Sequence, residues 1–248
     1  MRYIMMGAVT ALLAAWAQAQ PAGPASPATS HPLPTHSHSP ATAPATRPSK
    51  APTTASVSVP AITPKAALRK LNLALRDGDA DAIRSVFETS DESGKNLILA
   101  MADYAHALAA LHNAAIEAYG QEGANTVTGD MEAQSADGLA GIDKAQAAID
   151  GDTALVQFAA ATDPPVRLVK IHGEWKVPFS QLLNGADRAD QERKLAELRA
   201  ETSLARGTTA EIKAGKLKSP DKAAETWRTR LLQAVAPRAS SRPAPPDS

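Results

Sequence analysis

The hydrophobic period of this chain changes once, from about 3.6 residues to 2, and that switch limits the fold more than any other feature. Before it, Leu97, Met101, Tyr104, Leu108, Leu111 and Ala115 recur at alternating steps of four and three, and Ile98, Ala105, Ile116 and Tyr119 widen the stripe. The spacing predicts a long helix from a Thr89–Glu92 capping box to Gly120, packed against a sheet or between helices. Residues 121–138, rich in Gly, Asn, Thr and Asp, read as a loop. Beyond it Ile142–Ile149 reads as a strand and Asp150-Gly151-Asp152 as a turn. Ala154, Val156 and Phe158 then alternate with Leu155 and Gln157. Residues 166–179, VRLVKIHGEWKVPF, are two runs of β-formers meeting at Gly173, whose tolerance of positive φ suits a two-residue turn. Two successive antiparallel hairpins follow.

Shorter helices flank this centre. Thr63-Pro64 offers an N-cap followed by a proline at the first helical position, ahead of Leu68, Leu71, Leu73 and Leu75. Asp77-Gly78 ends that helix, and Asp79 caps a second one carrying Ile83, Val86 and Phe87 on one face. After Asn184-Gly185, heptad-like spacing returns with Leu195, Leu198 and Ala205. A last helix, capped by Ser219 before Pro220, carries Trp227, Leu231, Leu232 and Val235. The fold class is α+β: N-terminal helices on a curved, cone-like antiparallel sheet of about four strands, followed by C-terminal helices.

The termini read differently. Arg2 precedes the apolar run IMMGAVTALLAAWA, and Ala17-Gln18-Ala19 supplies a small-x-small cleavage pattern, so residues 1–19 read as a secretory signal peptide. The run falls short of the roughly 20 apolar residues that span a bilayer, and no transmembrane segment is expected after cleavage. Residues 20–62, dominated by Pro, Ala, Ser and Thr, read as a disordered linker, and 237–248 as a disordered tail. His31, His36 and His38 in the linker read as compositional drift rather than a metal site. The folded part divides at the sequence level into an α+β domain, 63–184, and a helical extension, 185–236. The chain has no cysteine, which excludes a lipid-anchored lipoprotein, a disulfide framework and a thiol nucleophile. It is expected to be exported, periplasmic or secreted.

Charge sums to zero but is uneven: residues 77–163 carry roughly −13, with about +7 before and +6 after. The simplest account is a basic C-terminal segment docking on an acidic body. The basic residues lack interleaved aromatics, so nucleic acid is not an expected partner.

Three stretches carry a resemblance: Leu75–Phe87 (LRDGDADAIRSVF), Asp150–Phe158 (DGDTALVQF) and Leu168–Val177 (LVKIHGEWKV). In their order they resemble the nuclear-transport-factor-2-like superfamily, more narrowly its exported bacterial members of unassigned function, over roughly residues 64–180. The resemblance implies a curved sheet wrapped around helices to enclose a hollow. In the enzymes of that superfamily, ketosteroid isomerases and related dehydratases, a carboxylate base and a Tyr or His donor act inside it.

Polar groups placed to face such a hollow are few. Tyr104 and Tyr119 lie on the long apolar stripe, His112 at its edge, and Trp175 on the last strand as a cavity wall or a cross-strand plug. No acid stands on an apolar face, and no phosphate loop, zinc pair or nucleophile elbow occurs. The sequence therefore reads as a non-catalytic exported domain that binds a small apolar ligand or a partner protein, with Tyr104, Tyr119, His112 and Trp175 as candidate ligand contacts. It implies no catalytic residue, metal or cofactor. An isomerase- or dehydratase-like enzyme, and an assembly protein self-associating through residues 186–236, are the alternatives.

Overall fold

The computed structural model describes residues 63–158, 164–183 and 185–235. The expected signal peptide, linker and tail lie outside them, as do Asp163 and Asn184. The described residues fall within one compact unit.

Helix α1 (Pro64–Asp77) begins where the sequence places its cap, with the Ala66 amide donating to Thr63 Oγ1 at 3.1 Å. Its end is set by Gly78 at φ 68°, and the Asp79 side chain then accepts from the Ala82 amide at 3.0 Å to start α2 (Ala80–Val86). This turn is clamped onto the long helix α3 (Glu92–Thr128): His106 Nδ1 lies 3.0 Å from Gly78 O. The fit leaves no room for a side chain. A Cβ at Gly78 would stand 2.7 Å from Ala109 Cβ and 2.9 Å from His106 Cα.

Several local expectations are corrected. The cap of α3 is Asp91, which accepts from the Gly94 amide at 2.6 Å, and Thr89 donates to Asp91 Oδ2 rather than capping the helix itself. The first helical run ends at Gly120 as expected, where φ 75° and ψ 176° are non-helical, and a second run follows across the kink to Thr128. The region read as a loop is instead the end of α3 and a further helix, α4 (Met131–Lys144), capped by Asp130. Ile142, read as the start of a strand, is a buried helical residue of α4. The packing of α4 on α1 explains the outcome. Ser135 Oγ donates to Asn72 Oδ1 at 2.6 Å in a buried contact, and the Asn72 amide fills the space where a side chain at Gly138 would be.

The sheet has five strands where about four were expected: β1 (Phe87–Glu88), β2 (Gln146–Asp150), β3 (Thr153–Gln157), β4 (Val166–Ile171) and β5 (Glu174–Pro178), in the order β1-β5-β4-β3-β2. It is mixed rather than wholly antiparallel, because the two-residue β1 pairs parallel with β5. Period-2 reading overlooked β1 because two residues show no alternation. Its Phe87 meets Phe179 edge to face, with ring centroids 5.7 Å apart. Both expected hairpins form. Asp150 pairs with Thr153 around Gly151-Asp152, and Ile171 with Glu174 around His172-Gly173 at φ 50° and 86°, the positive pair that a type I′ turn requires.

Alternation along β3, β4 and β5 puts Ala154, Val156, Val166, Leu168, Trp175 and Val177 on the helix side, all buried. They join the apolar residues of α1 and α2 and the first half of α3 in one core. The second half of α3 belongs to another core, closed by α6 (Arg188–Lys213) and α7 (Pro220–Val235), with Leu111, Val127, Ala205, Ile212 and Trp227 at its centre. Polar ties fasten these helices to α3 and to each other. Tyr119 donates to Leu217 O in the α6–α7 turn, Arg228 donates to Thr126 O at 3.2 Å, and Arg230 grips Glu211 through two bonds of 3.0 and 2.9 Å. Trp227 and Leu231, in the segment named as an alternative for self-association, pack inside the same chain.

Two outcomes test this packing. Gly78→Ala forces a left-handed alanine against α3 and is expected to lower unfolding free energy by at least ~1 kcal/mol, read as a lower midpoint in urea. Thr208 Oγ1 is the one buried side-chain polar atom without a hydrogen-bond partner among the described residues. An unmet buried hydroxyl costs about 1–3 kcal/mol, so Thr208→Val is expected to raise the thermal midpoint.

Candidate functional site

Between α3, α6 and the short helix α5 (Phe179–Leu183) lies a cleft of about 70 Å³. Its walls repeat one spacing on two helices: Leu97, Met101 and Tyr104 from α3, and Lys194, Leu198 and Glu201 from α6, each at i, i+4, i+7. Phe179 and Leu182 of α5 close one end. The spacing is that of a single helix face, so both triplets point into the same gap.

The electrostatics follow from the apolar walls. Burial raises the Glu201 carboxyl above the usual carboxylate range; Lys194 pulls it back down, and Glu197 pushes it up. Lys194 is drawn toward Glu197, at 3.4 Å, rather than to Glu201. Among the described residues Glu201 makes neither an ion pair nor a hydrogen bond, so it is a half-buried carboxylate awaiting a donor. Burial and the nearby charge of Glu201 together push the Tyr104 hydroxyl far above its ordinary range. At neutral pH it stays protonated and serves as a donor.

The four residues singled out from the sequence do not converge. Tyr104 lines the cleft. Tyr119 spends its hydroxyl on Leu217 O, holding the α6–α7 turn. His112 is buried beside the end of α3, its Nδ1 2.7 Å from Thr128 Oγ1, while that hydroxyl donates to Ala124 O at 3.1 Å. Burial lowers the His112 pKa, partly offset by Glu132 and Asp130. Trp175 is packed under the sheet, with Lys170 Nζ 5.9 Å from its ring centre.

Glu201 escaped the sequence reading because its own helix is charged throughout. The available signal was its place beside the Leu198–Thr202–Ala205 face, which marks it as lying at the rim of a buried stripe. Tyr104 and Met101, which complete its apolar surroundings, come from α3 and are visible only across the fold.

Fold and cleft together define an α+β protein with a mixed five-stranded sheet and an apolar-walled gap between two long helices. Comparisons with protein-family models, curated proteins and solved structures find no match to this chain. No helix among the described residues is long and apolar enough to cross a membrane.

The carboxyl of Glu201 also marks stability. Its folded pKa is raised, so its favourable contribution is complete below the ordinary carboxyl range, about 4.3, and is lost as pH rises through the elevated folded value. Glu201→Gln removes that loss. In urea titrations the variant is expected to match the parent in acid and to exceed it at neutral pH. A variant less stable than the parent at neutral pH contradicts a carboxylate held without a partner.

Proposed function

We propose that this chain is an exported, non-catalytic binding domain whose ligand is small and largely apolar, and that the α3–α6 cleft receives it. The reading places the chain beside the nuclear-transport-factor-2-like superfamily, with a sheet curved in a cone over the N-terminal helices. The helix–helix–strand–long helix–hairpins order supports that likeness. Export rests on the leader-like residues 1–19.

One observation carries the binding reading: an unpartnered carboxylate, Glu201, sits beside a protonated tyrosine in a gap walled by Leu97, Met101, Phe179, Leu182 and Leu198. Such a site favours a ligand with a short apolar end and one hydrogen-bond donor or cationic group, because the donor satisfies the carboxylate while the walls exclude water. Volume limits the ligand further. A dry cavity of about 150 Å³ holds benzene, so about 70 Å³ takes an alkyl end or part of a larger molecule, not a steroid-sized body.

The same pair favours a second reading. A carboxyl raised by burial and a tyrosine donor are the groups an isomerase or dehydratase uses to move a proton next to a carbonyl. Here they would act between helices rather than under the sheet, whose helix side is filled by Val156, Leu168, Trp175 and Val177.

Native mass spectrometry for a co-purified ligand and a thermal-shift screen with short-chain alkyl amines, alcohols and ketones separate the two. Binding predicts a midpoint rise with an amine or alcohol that is lost in Leu198→Trp, which fills the gap, and reduced in Glu201→Gln. Catalysis predicts exchange of ketone α-protons in deuterated water, abolished by Glu201→Gln. Absence of both a retained ligand and a shift with every probe overturns the binding proposal.

A further inference from the structure

We propose that the free edge of β2 is a docking strand for a second copy of this chain, giving a two-fold dimer whose sheet runs continuously through paired β2 strands. β2 is the last strand of the sheet on its side, and all five of its residues, Gln146 to Asp150, are exposed. Natural sheet edges are normally blunted by lysine, proline, a bulge or a covering segment. Gln-Ala-Ala-Ile holds no lysine or proline, no described segment covers it, its one charge is Asp150 at the hairpin end, and its pairing with β3 runs without interruption from Gln146↔Gln157 to Asp150↔Thr153.

The hairpin determines which backbone groups are free. In a two-residue hairpin the closing pair, here Asp150 and Thr153, is hydrogen-bonded, and bonded and non-bonded pairs alternate from there. Gln146, Ala148 and Asp150 therefore direct their amides and carbonyls to β3. Ala147 and Ile149 direct theirs outward. Ile149 shares the helix-side face with Ala154, its partner across the hairpin, yet remains 58 % exposed, and Leu155 on the other face is 45 % exposed. The α1 and α2 helices that cover Val156 and Leu168 do not shelter this strand. A neighbouring strand would cover Ile149 and engage the outward groups of Ala147 and Ile149. The alanines at 147 and 148 place no bulk in its way.

Charge selects the occupant. Lys144 precedes the strand, Asp150 ends it and Asp152 follows in the turn, and none of the three makes an ion pair among the described residues. An antiparallel second copy sets Lys144 of each chain against the Asp150-Gly151-Asp152 end of the other, so one self-complementary patch satisfies both ends. A parallel copy would set like against like. The residues 186–236, the earlier candidate for self-association, have already spent Trp227 inside the chain.

The test is sedimentation equilibrium of the full chain over a wide concentration range, with hydrogen exchange at Ala147 and Ile149. A reversible monomer–dimer equilibrium is expected. Ala147→Pro removes an outward amide without touching the β3 ladder and is expected to leave a folded monomer. Lys144→Glu is expected to weaken association at least tenfold, and Lys144→Glu with Asp150→Lys to restore it. The proposal is overturned by a parent that stays monomeric, by dimers unaffected in either single variant, or by no rescue in the double variant. A monomer whose Ala147 and Ile149 amides are nonetheless protected assigns the edge to a segment of the same chain, and that too overturns it.

Discussion

The burial of α3 on two sides is the constraint from which the rest of the structure follows. Its first half supplies Leu97, Ile98, Met101, Ala102 and Ala105 to the core beneath the sheet, and its second half supplies Leu111, Ala114, Ala115, Ala124 and Val127 to the core closed by α6 and α7. Small side chains make the sharing feasible. Alanines line much of the buried surface of α3, and Thr202, Ala205 and Thr208 line the opposing face of α6, so the helices approach closely and gain dispersion contacts along their length.

The cleft is a product of that arrangement. Alanine and threonine meet along much of the seam, and the cleft lies where α3 presents Met101 and Tyr104 and α6 presents Leu198 and Glu201. Larger side chains there, with α5 wedged at one end, leave a gap instead of a seam. Because its walls are apolar, the two polar groups that reach it are shifted in the direction burial dictates: the carboxyl up, and the phenol up. The site's chemistry comes from its desolvation more than from any partner residue.

Much of the architecture was legible locally. Caps at Thr63 and Asp79, the stop at Gly78, the stripe of α3 and the two hairpins each depend on a few neighbouring residues whose conformational preferences agree. What was misread had weak local preference. Residues 121–144 are poor in large apolar groups and rich in Gly, Asn and Thr, yet they form helix because Val127 and Ile142 are buried and Asp130 supplies a cap. The strand β1 exists only because β5 lies beside it. Of the candidate contacts, Tyr104 reaches the cleft while Tyr119, His112 and Trp175 are spent on packing and internal hydrogen bonds.

The sequence by itself determined which segments become helices and hairpins wherever period and capping coincide, since those depend on interactions within a few residues. It also determined that the chain has no thiol chemistry, because no cysteine is present. Only the tertiary structure decided that α6 and α7 lie against α3, that Glu201 faces Tyr104, and that β2 is left as an open edge. Those outcomes join residues far apart in the chain, Glu201 to Tyr104 and Trp227 to Val127, and their energies arise from burial that no local pattern records.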